Sequence, residues 1–139
     1  RYISVTGVQT CALPILGTNG TLGNNSTATM VTPVQIGNSS NWAQVSTGYQ
    51  HTLALQSNGT LWSCGYNSYG QLGLSNNFAN YSTLTQIGTL SNYTQIACGY
   101  FASFALSSDT IIWSWGSNSY GQLGVSPNKA KMFKIVYGL

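Results

Sequence analysis

Gly65-Tyr66-Asn67-Ser68-Tyr69-Gly70-Gln71-Leu72-Gly73 returns almost unchanged as Gly116-Ser117-Asn118-Ser119-Tyr120-Gly121-Gln122-Leu123-Gly124. The copy extends well upstream. Residues 32–73, beginning Thr32-Pro33-Val34-Gln35-Ile36-Gly37, align without a gap with residues 83–124, beginning Thr83-Leu84-Thr85-Gln86-Ile87-Gly88. Within them Trp42 matches Tyr93, and Gly48-Tyr49 matches Gly99-Tyr100. Ala54-Leu55 likewise matches Ala105-Leu106, and Trp62 matches Trp113. A degenerate earlier copy of the last element survives as Gly20-Thr21-Leu22-Gly23. A period of about 51 residues signals a propeller, solenoid or array, because one such unit cannot bury its apolar face alone.

Each unit reads as a run of short strands. Trp42–Thr47 and Tyr93–Cys98 alternate bulky and polar residues, and 52–55 and 103–106 are short apolar runs. Ser57-Asn58-Gly59 is an Asn-Gly hairpin signal; its counterpart Ser108-Asp109-Thr110 is a weaker turn. Residues 60–64 and 111–115 follow, with Ile111, Trp113 and Trp115 on one face at period two. Residues 34–36 and 84–87 are assigned the fourth strand of their repeats. Four antiparallel strands per repeat make a propeller blade. The expected fold is therefore all-β, a partial β-propeller of about two four-stranded antiparallel blades.

Composition supports strands over helices. Charged residues make up 4% of the chain, against roughly 25% in ordinary globular domains. Glu and Lys, two strong helix formers, are nearly absent. The net charge of +3 comes from Arg1, Lys129, Lys131 and Lys134, all near the ends. A phosphate-binding surface needs clustered cations on a folded face, so nucleic acid is a disfavoured partner.

The same scarcity bears on catalysis and metals. Asp109 is the only acid and His51 the only histidine. Asp109 stands one repeat away, where Asn58 stands in the previous copy, so a turn role is expected for it and a structural role for His51. With a single carboxylate, paired acid–base hydrolysis and hard-cation binding lack their ligands. The glycine-rich 65–73 stretch has no following Lys-Ser/Thr, so it is not a phosphate-cradling loop. Cys11, Cys64 and Cys98 have no metal-site spacing; the strand cysteines read as buried small residues. Trp62, Trp113 and Trp115 are expected in the core between blades rather than as a sugar platform. No catalytic, cofactor or metal residue is assigned.

The units resemble the RCC1 repeat, named for the regulator of chromosome condensation. Leu61-Trp62, Gly65-x-Asn67 and Gly70-Gln71-Leu72-Gly73 carry the resemblance, as do Ile112-Trp113, Gly116-x-Asn118 and Gly121-Gln122-Leu123-Gly124. It covers a partial repeat at 16–31 and repeats at 32–82 and 83–125. The resemblance implies a ring of usually seven blades, so this chain is expected to be a piece of a longer protein, its remaining blades being one set of partners. The glycines are expected to serve tight turns and close blade packing.

For function, the leading expectation is a non-enzymatic protein-interaction scaffold within a larger surface or secreted protein. The low charge and abundant Thr, Ser and Asn are similar to repeat arrays of large bacterial surface proteins. The expected partner-binding loop is 73–82, through Leu74, Asn76, Asn77, Phe78, Asn80 and Tyr81. The alternative implied by the resemblance is an intracellular or nuclear, chromatin-associated regulator that promotes guanine-nucleotide exchange on a small GTPase. A family propeller that inhibits β-lactamases shows the fold serving as a plain protein-binding face.

The ends read differently. Val5-Thr6-Gly7-Val8-Gln9-Thr10-Cys11-Ala12-Leu13-Pro14-Ile15 matches the in-frame translation of a common sequencing-library adapter, so 1–15 is expected to be a non-native segment. Cys11 and Arg1 then carry no biological meaning. The tail 126–139 brings three lysines within six residues and departs from the repeat; it reads either as a native basic loop or as the product of a frame error, the second being slightly favoured. A two-blade piece leaves ring contacts unsatisfied. Residues 16–125 expressed alone are therefore expected to aggregate, and a sharp cooperative melt of a monomer would count against the open-ring reading.

Overall fold

The computed structural model describes residues 17–74, 78–126 and the backbone of 133–136. Among the described residues, eight strands follow one 3-10 turn at Thr18–Gly20. They are β1 Trp42–Thr47, β2 His51–Gln56, β3 Leu61–Gly65, β4 Tyr81–Gln86, β5 Tyr93–Cys98, β6 Ala102–Ser107, β7 Ile111–Gly116 and β8 Phe133–Val136. They form two four-stranded antiparallel meanders, β1-β2-β3-β4 and β5-β6-β7-β8. The fold is all-β and each sheet is one blade.

The sequence repeat is reproduced in the ladders. Val45 faces Ala54 across β1 and β2, and Ile96 faces Ala105 across β5 and β6. The irregularity between Trp42 and Gln44 recurs between Tyr93 and Gln95. Even the hairpin turns correspond. Gly59 N–H donates to Gln56 O at 2.9 Å, and Thr110 N–H donates to Ser107 O at 3.0 Å. Gly59 has φ +79° and Thr110 φ +64°. The geometry demands the left-handed region at both, and only the first repeat supplies a glycine.

One strand assignment is corrected. Residues 34–36 are not a strand, whereas β4, which includes Leu84, is. The reason is pairing. Strand β4 hydrogen-bonds to β3 of the preceding repeat, with Gln86 opposite Trp62 and Tyr81 opposite Gly65. Residues 34–36 would need a strand one period upstream of β3, and that position lies outside the described residues. Each sheet thus takes three strands from one repeat and its fourth from sequence beyond it. In the second sheet the fourth place is filled by β8 from the tail, with Val136 opposite Ile111 and Phe133 opposite Ser114.

The core lies between the blades. Leu53, Leu55, Leu61, Leu72, Leu74 and Ile87 of the first half meet Tyr93, Ile96, Ala105 and Trp115 of the second. The inner strands also bond across the gap. Ile96 N–H donates to Gln44 Oε1 at 2.9 Å, and Cys98 N–H donates to Ser46 Oγ at 3.0 Å. Polar residues on β1 therefore satisfy backbone donors of β5 that a neighbouring strand would otherwise take.

Thr110→Gly is expected to stabilise the chain by about 1 kcal/mol, since a β-branched residue in the left-handed region is strained. Thermal denaturation of the full chain checks this. A melting temperature that does not rise would show that the turn relaxes around threonine without cost.

Candidate functional site

The repeated nine-residue stretch ties itself into a loop. Asn67 Oδ1 accepts the Leu72 N–H at 3.0 Å, and Asn118 Oδ1 accepts the Leu123 N–H at 3.1 Å. Gln71 Oε1 accepts the Tyr69 N–H at 3.0 Å, and Gln122 Oε1 accepts the Tyr120 N–H at 2.9 Å. Gly70 N–H donates to Asn67 O and Gly73 N–H to Gly70 O, with Gly121 and Gly124 repeating the pattern. Ser63 Oγ donates to Leu72 O at 2.8 Å, as Ser114 Oγ does to Leu123 O at 3.0 Å. The loop's backbone groups are thereby satisfied where water is excluded, and Leu72 and Leu123 are fully buried. A side chain at Gly65 would run into Gln50 O and His51 Cα, and one at Gly116 into Phe101 O.

The three tryptophans separate. Trp115 alone sits buried between the blades. Trp113 is half-buried and packs against that core, whereas Trp62 is half-buried outside it, which corrects the placement of Trp62 alone. Each packs edge-on against the aromatic residue that opens its own blade. Trp62 meets Trp42 at 5.9 Å, and Trp113 meets Tyr93 at 6.4 Å. Alternation along a strand put Trp113 and Trp115 on one face, but only Trp115 lies at the strand end that the preceding blade's loop covers.

That loop makes the joint between blades. Gln71 O accepts Ser103 Oγ–H at 2.7 Å and Trp115 Nε1–H at 2.9 Å. One repeat earlier, Thr21 O accepts Thr52 Oγ1–H at 2.8 Å and Cys64 Sγ–H at 3.5 Å. Thr52 and Cys64 are the repeat equivalents of Ser103 and Trp115, and Thr21 of Gln71. A carbonyl has two lone pairs, so one oxygen per repeat holds two donors. Gly73 makes room for the joint: a Cβ there would lie 2.9 Å from Trp115 Nε1.

His51 and Cys64 are fully buried, Cys98 is half-buried and Asp109 is exposed. Burial pushes the Cys64 and Cys98 thiols up to about 12. They stay neutral and donate hydrogen bonds to Thr21 O and Ser46 O; reactive cysteines need the opposite shift. His51 is 0% exposed, with Nε2 2.9 Å from Ser103 Oγ. Burial lowers it to about 4. Asp109 lies in the β6–β7 turn and accepts from Ser107 Oγ, so no carboxylate orients the imidazole.

The expected loop at 73–82 is divided. Leu74 is buried in the core, and Asn76 and Asn77 lie outside the described residues. Asn80 is tied down, its Oδ1 accepting Asn67 N–H at 3.0 Å and its Nδ2 donating to Asn19 Oδ1 at 3.0 Å. Tyr81 opens β4 and packs against the core. Phe78 is exposed.

What reasoning from sequence missed is an aromatic face at that rim. Antiparallel pairing brings the β1–β2 turn, the β5–β6 turn and the loop after β3 to one end of the blades. Tyr49 and Tyr100, one repeat apart, stack at 4.3 Å and 14°. Their backbones join through Tyr49 N–H donating to Tyr100 O at 3.1 Å. Phe101 stands edge-on to both and tilts over Tyr69 at 4.8 Å and Tyr66 at 5.9 Å. Tyr100 is 62% exposed, Tyr49 54% and Tyr69 48%. Residues 48–50, 66–74, 78–80 and 99–101 include no charged side chain. The signal in the sequence was the Gly-Tyr pair recurring at one period, which registers as a repeat mark before it registers as a surface.

Comparison with known proteins places the repeat. The sequence pattern of the Regulator of chromosome condensation (RCC1) repeat matches residues 16–55 and 58–106. A second pattern of the same description matches 42–71 and 93–122. The chain belongs to the RCC1 repeat family. It is 41% identical over 88 residues to a human protein named "Probable E3 ubiquitin-protein ligase HERC3", covering 62% of this chain and 8% of that one. It is 32% identical over 99 residues to the Ultraviolet-B receptor UVR8 of Arabidopsis thaliana, covering 70% and 22%. Prp20p of Saccharomyces cerevisiae, solved in a study of its binding to Gsp1p and histones, superposes with a TM-score of 0.79. That match has 19% identity and covers 88% of this chain and 33% of the other; it shows the fold alone. The chain spans a small part of each of these proteins.

Replacing Asn67 by Ala strips the buried Leu72 N–H of its acceptor. The expected loss is about 1–3 kcal/mol, read as a lower denaturant midpoint. Asn118→Ala is expected to cost a similar amount, and an unchanged midpoint in both would show that the loop does not depend on this bond.

Proposed function

We propose that this RCC1-repeat chain is a non-enzymatic protein-interaction scaffold and that the aromatic rim of Tyr49, Tyr66, Tyr69, Tyr100 and Phe101 is its contact face. The observation that supports it is the exposed Tyr49–Tyr100 stack continued onto Phe101 and Tyr69. Rigid tyrosines amid Ser, Asn and Gly give large contact area at small entropic cost, the chemistry of binding loops generally. Phe78 extends the face from the 73–82 loop. Asn80 fixes that loop rather than offering itself. A neutral face suits a partner recognised by packing and hydrogen bonds, so binding should be nearly indifferent to salt, unlike a charge-steered encounter. The low charge of the whole chain fits a setting in a larger surface or secreted protein.

The alternative, regulation of a small GTPase by nucleotide exchange in association with chromatin, draws on the likeness to Prp20p. It would require a partner-specific loop set in the rest of the propeller.

A photo-crosslinking residue placed at position 100 is expected to capture a protein partner in the source cells, whereas one at position 58 on the opposite rim is not. Tyr100→Ser should then weaken that complex tenfold or more, the scale of an aromatic hot spot, with little change between 50 and 500 mM salt. Capture from position 58 instead would overturn the assignment of the face. Acceleration of nucleotide release from a small GTPase by the parent protein would favour the regulator over the scaffold.

A further inference from the structure

The buried histidine has a geometry that no scaffold role uses. His51 sits at the start of β2, facing the second blade, and its Nε2 lies 2.9 Å from Ser103 Oγ on β6. Ser103 Oγ is 2.7 Å from Gln71 O, a group that only accepts. The single hydroxyl proton of Ser103 therefore goes to Gln71 O, and the bond to His51 must be filled by an Nε2–H. This fixes the neutral tautomer. Nδ1 is left as a bare lone pair, buried and without a hydrogen-bond partner. Gly48 closes over that side of the ring: a Cβ there would overlap Cε1 and Nδ1.

We infer that His51 is an acid-releasable pin between the two blades. Neutral, its Nε2–H holds Ser103 in the orientation that bonds Gln71 O, and so braces the joint made with Trp115. Protonated, the ring gains a second N–H at Nδ1, which is buried with no hydrogen-bond acceptor in reach. The charge is accommodated only if the ring leaves, and the Ser103 bond leaves with it.

Among the described residues no other group nearby compensates. Around His51, β3 contributes the Cys64 thiol and β5 the Cys98 thiol, both held neutral by burial. The neighbouring turns and loop contribute the phenols of Tyr49, Tyr66, Tyr69 and Tyr100. β1, β2, β3, β5, β6 and loop residues 66–74 contain no Asp, Glu, Lys or Arg. Asp109 lies in the turn at the opposite end of β6. With one histidine and one acidic side chain in 139 residues, the chain has a single side chain whose ordinary titration falls between pH 5 and 8.

The native state disfavours the proton, whose pKa is lowered from 6.5 to about 4, and the opened state binds it normally. Stability is complete above pH 6.5 and is lost progressively as pH falls from 6.5 towards 4. Between pH 7 and pH 4.5 the closed-to-open ratio is expected to fall roughly 50- to 100-fold.

The Ile96 and Cys98 amides report on the joint, because their acceptors, Gln44 Oε1 and Ser46 Oγ, belong to the other blade. Hydrogen exchange of these amides in the full chain, corrected for intrinsic rate, should show that loss of protection between pH 7 and 4.5. His51→Ala, which installs the residue that Ala102 supplies in the next repeat, should lower protection at pH 7 and abolish the pH dependence. Should that variant fail to fold, the ring of His51 in the unaltered chain is titrated by NMR. Protection that is flat with pH, a variant that keeps the same pH dependence, or an imidazole that titrates near 6.5 with both amides still protected would each overturn the proposal.

Discussion

One carbonyl oxygen organises the joint on which this structure depends. Gln71 O takes a hydroxyl from β6 and an indole N–H from β7. Both donors belong to the second blade and the acceptor to the loop of the first. The oxygen is fixed because its loop is fixed: the Gln71 side chain holds the Tyr69 amide and Asn67 holds the Leu72 amide. A buried hydrogen bond of this kind contributes about 1 kcal/mol net, but leaving its members unpaired costs more. Its larger effect is positional, setting where Trp115 lies and therefore how the leucines of the first blade meet Ile96 and Ala105 of the second.

The same joint occurs one repeat earlier with different chemistry. There the donors are Thr52 and Cys64 and the acceptor is Thr21 O. The sulfur contact is long, and the small thiol stands where the second repeat has a tryptophan. What is kept is therefore the donor's direction towards a backbone oxygen rather than the size of the side chain that carries it. Backbone acceptance tolerates this, because the carbonyl is present whatever residue bears it. It explains how Gln and Thr exchange at this position without loss of the joint.

The enclosed joint and the exposed rim divide the work of the molecule. The bonds of the joint are buried, and the blades gain a fixed relative position from them. That rigidity is what allows the Tyr49–Tyr100 stack to cross from one blade to the next, since ring stacking at 4.3 Å tolerates little movement between its two supports. An aromatic surface held this way is preorganised, so a partner need not supply the ordering entropy.

Local pattern in the chain was enough to place three strands of each repeat, the hairpins that join them and the identity of the repeat. Alternation and Asn-Gly punctuation are local properties, and a period of about 51 residues is visible without coordinates. It did not determine that 34–36 remain unpaired while β4 completes the sheet before it, because a strand exists only with its ladder partner. Nor did it distinguish Trp115 from Trp62 and Trp113, since burial depends on what the neighbouring blade covers. Leu74 reads as part of a surface loop until the fold shows that it closes the core. The tertiary structure alone brought Tyr49 to Tyr100, and His51 to Ser103, across a full repeat. Contacts between residues about 50 positions apart are set by how blades stack, and stacking is fixed by the sum of many side chains rather than by any local pattern.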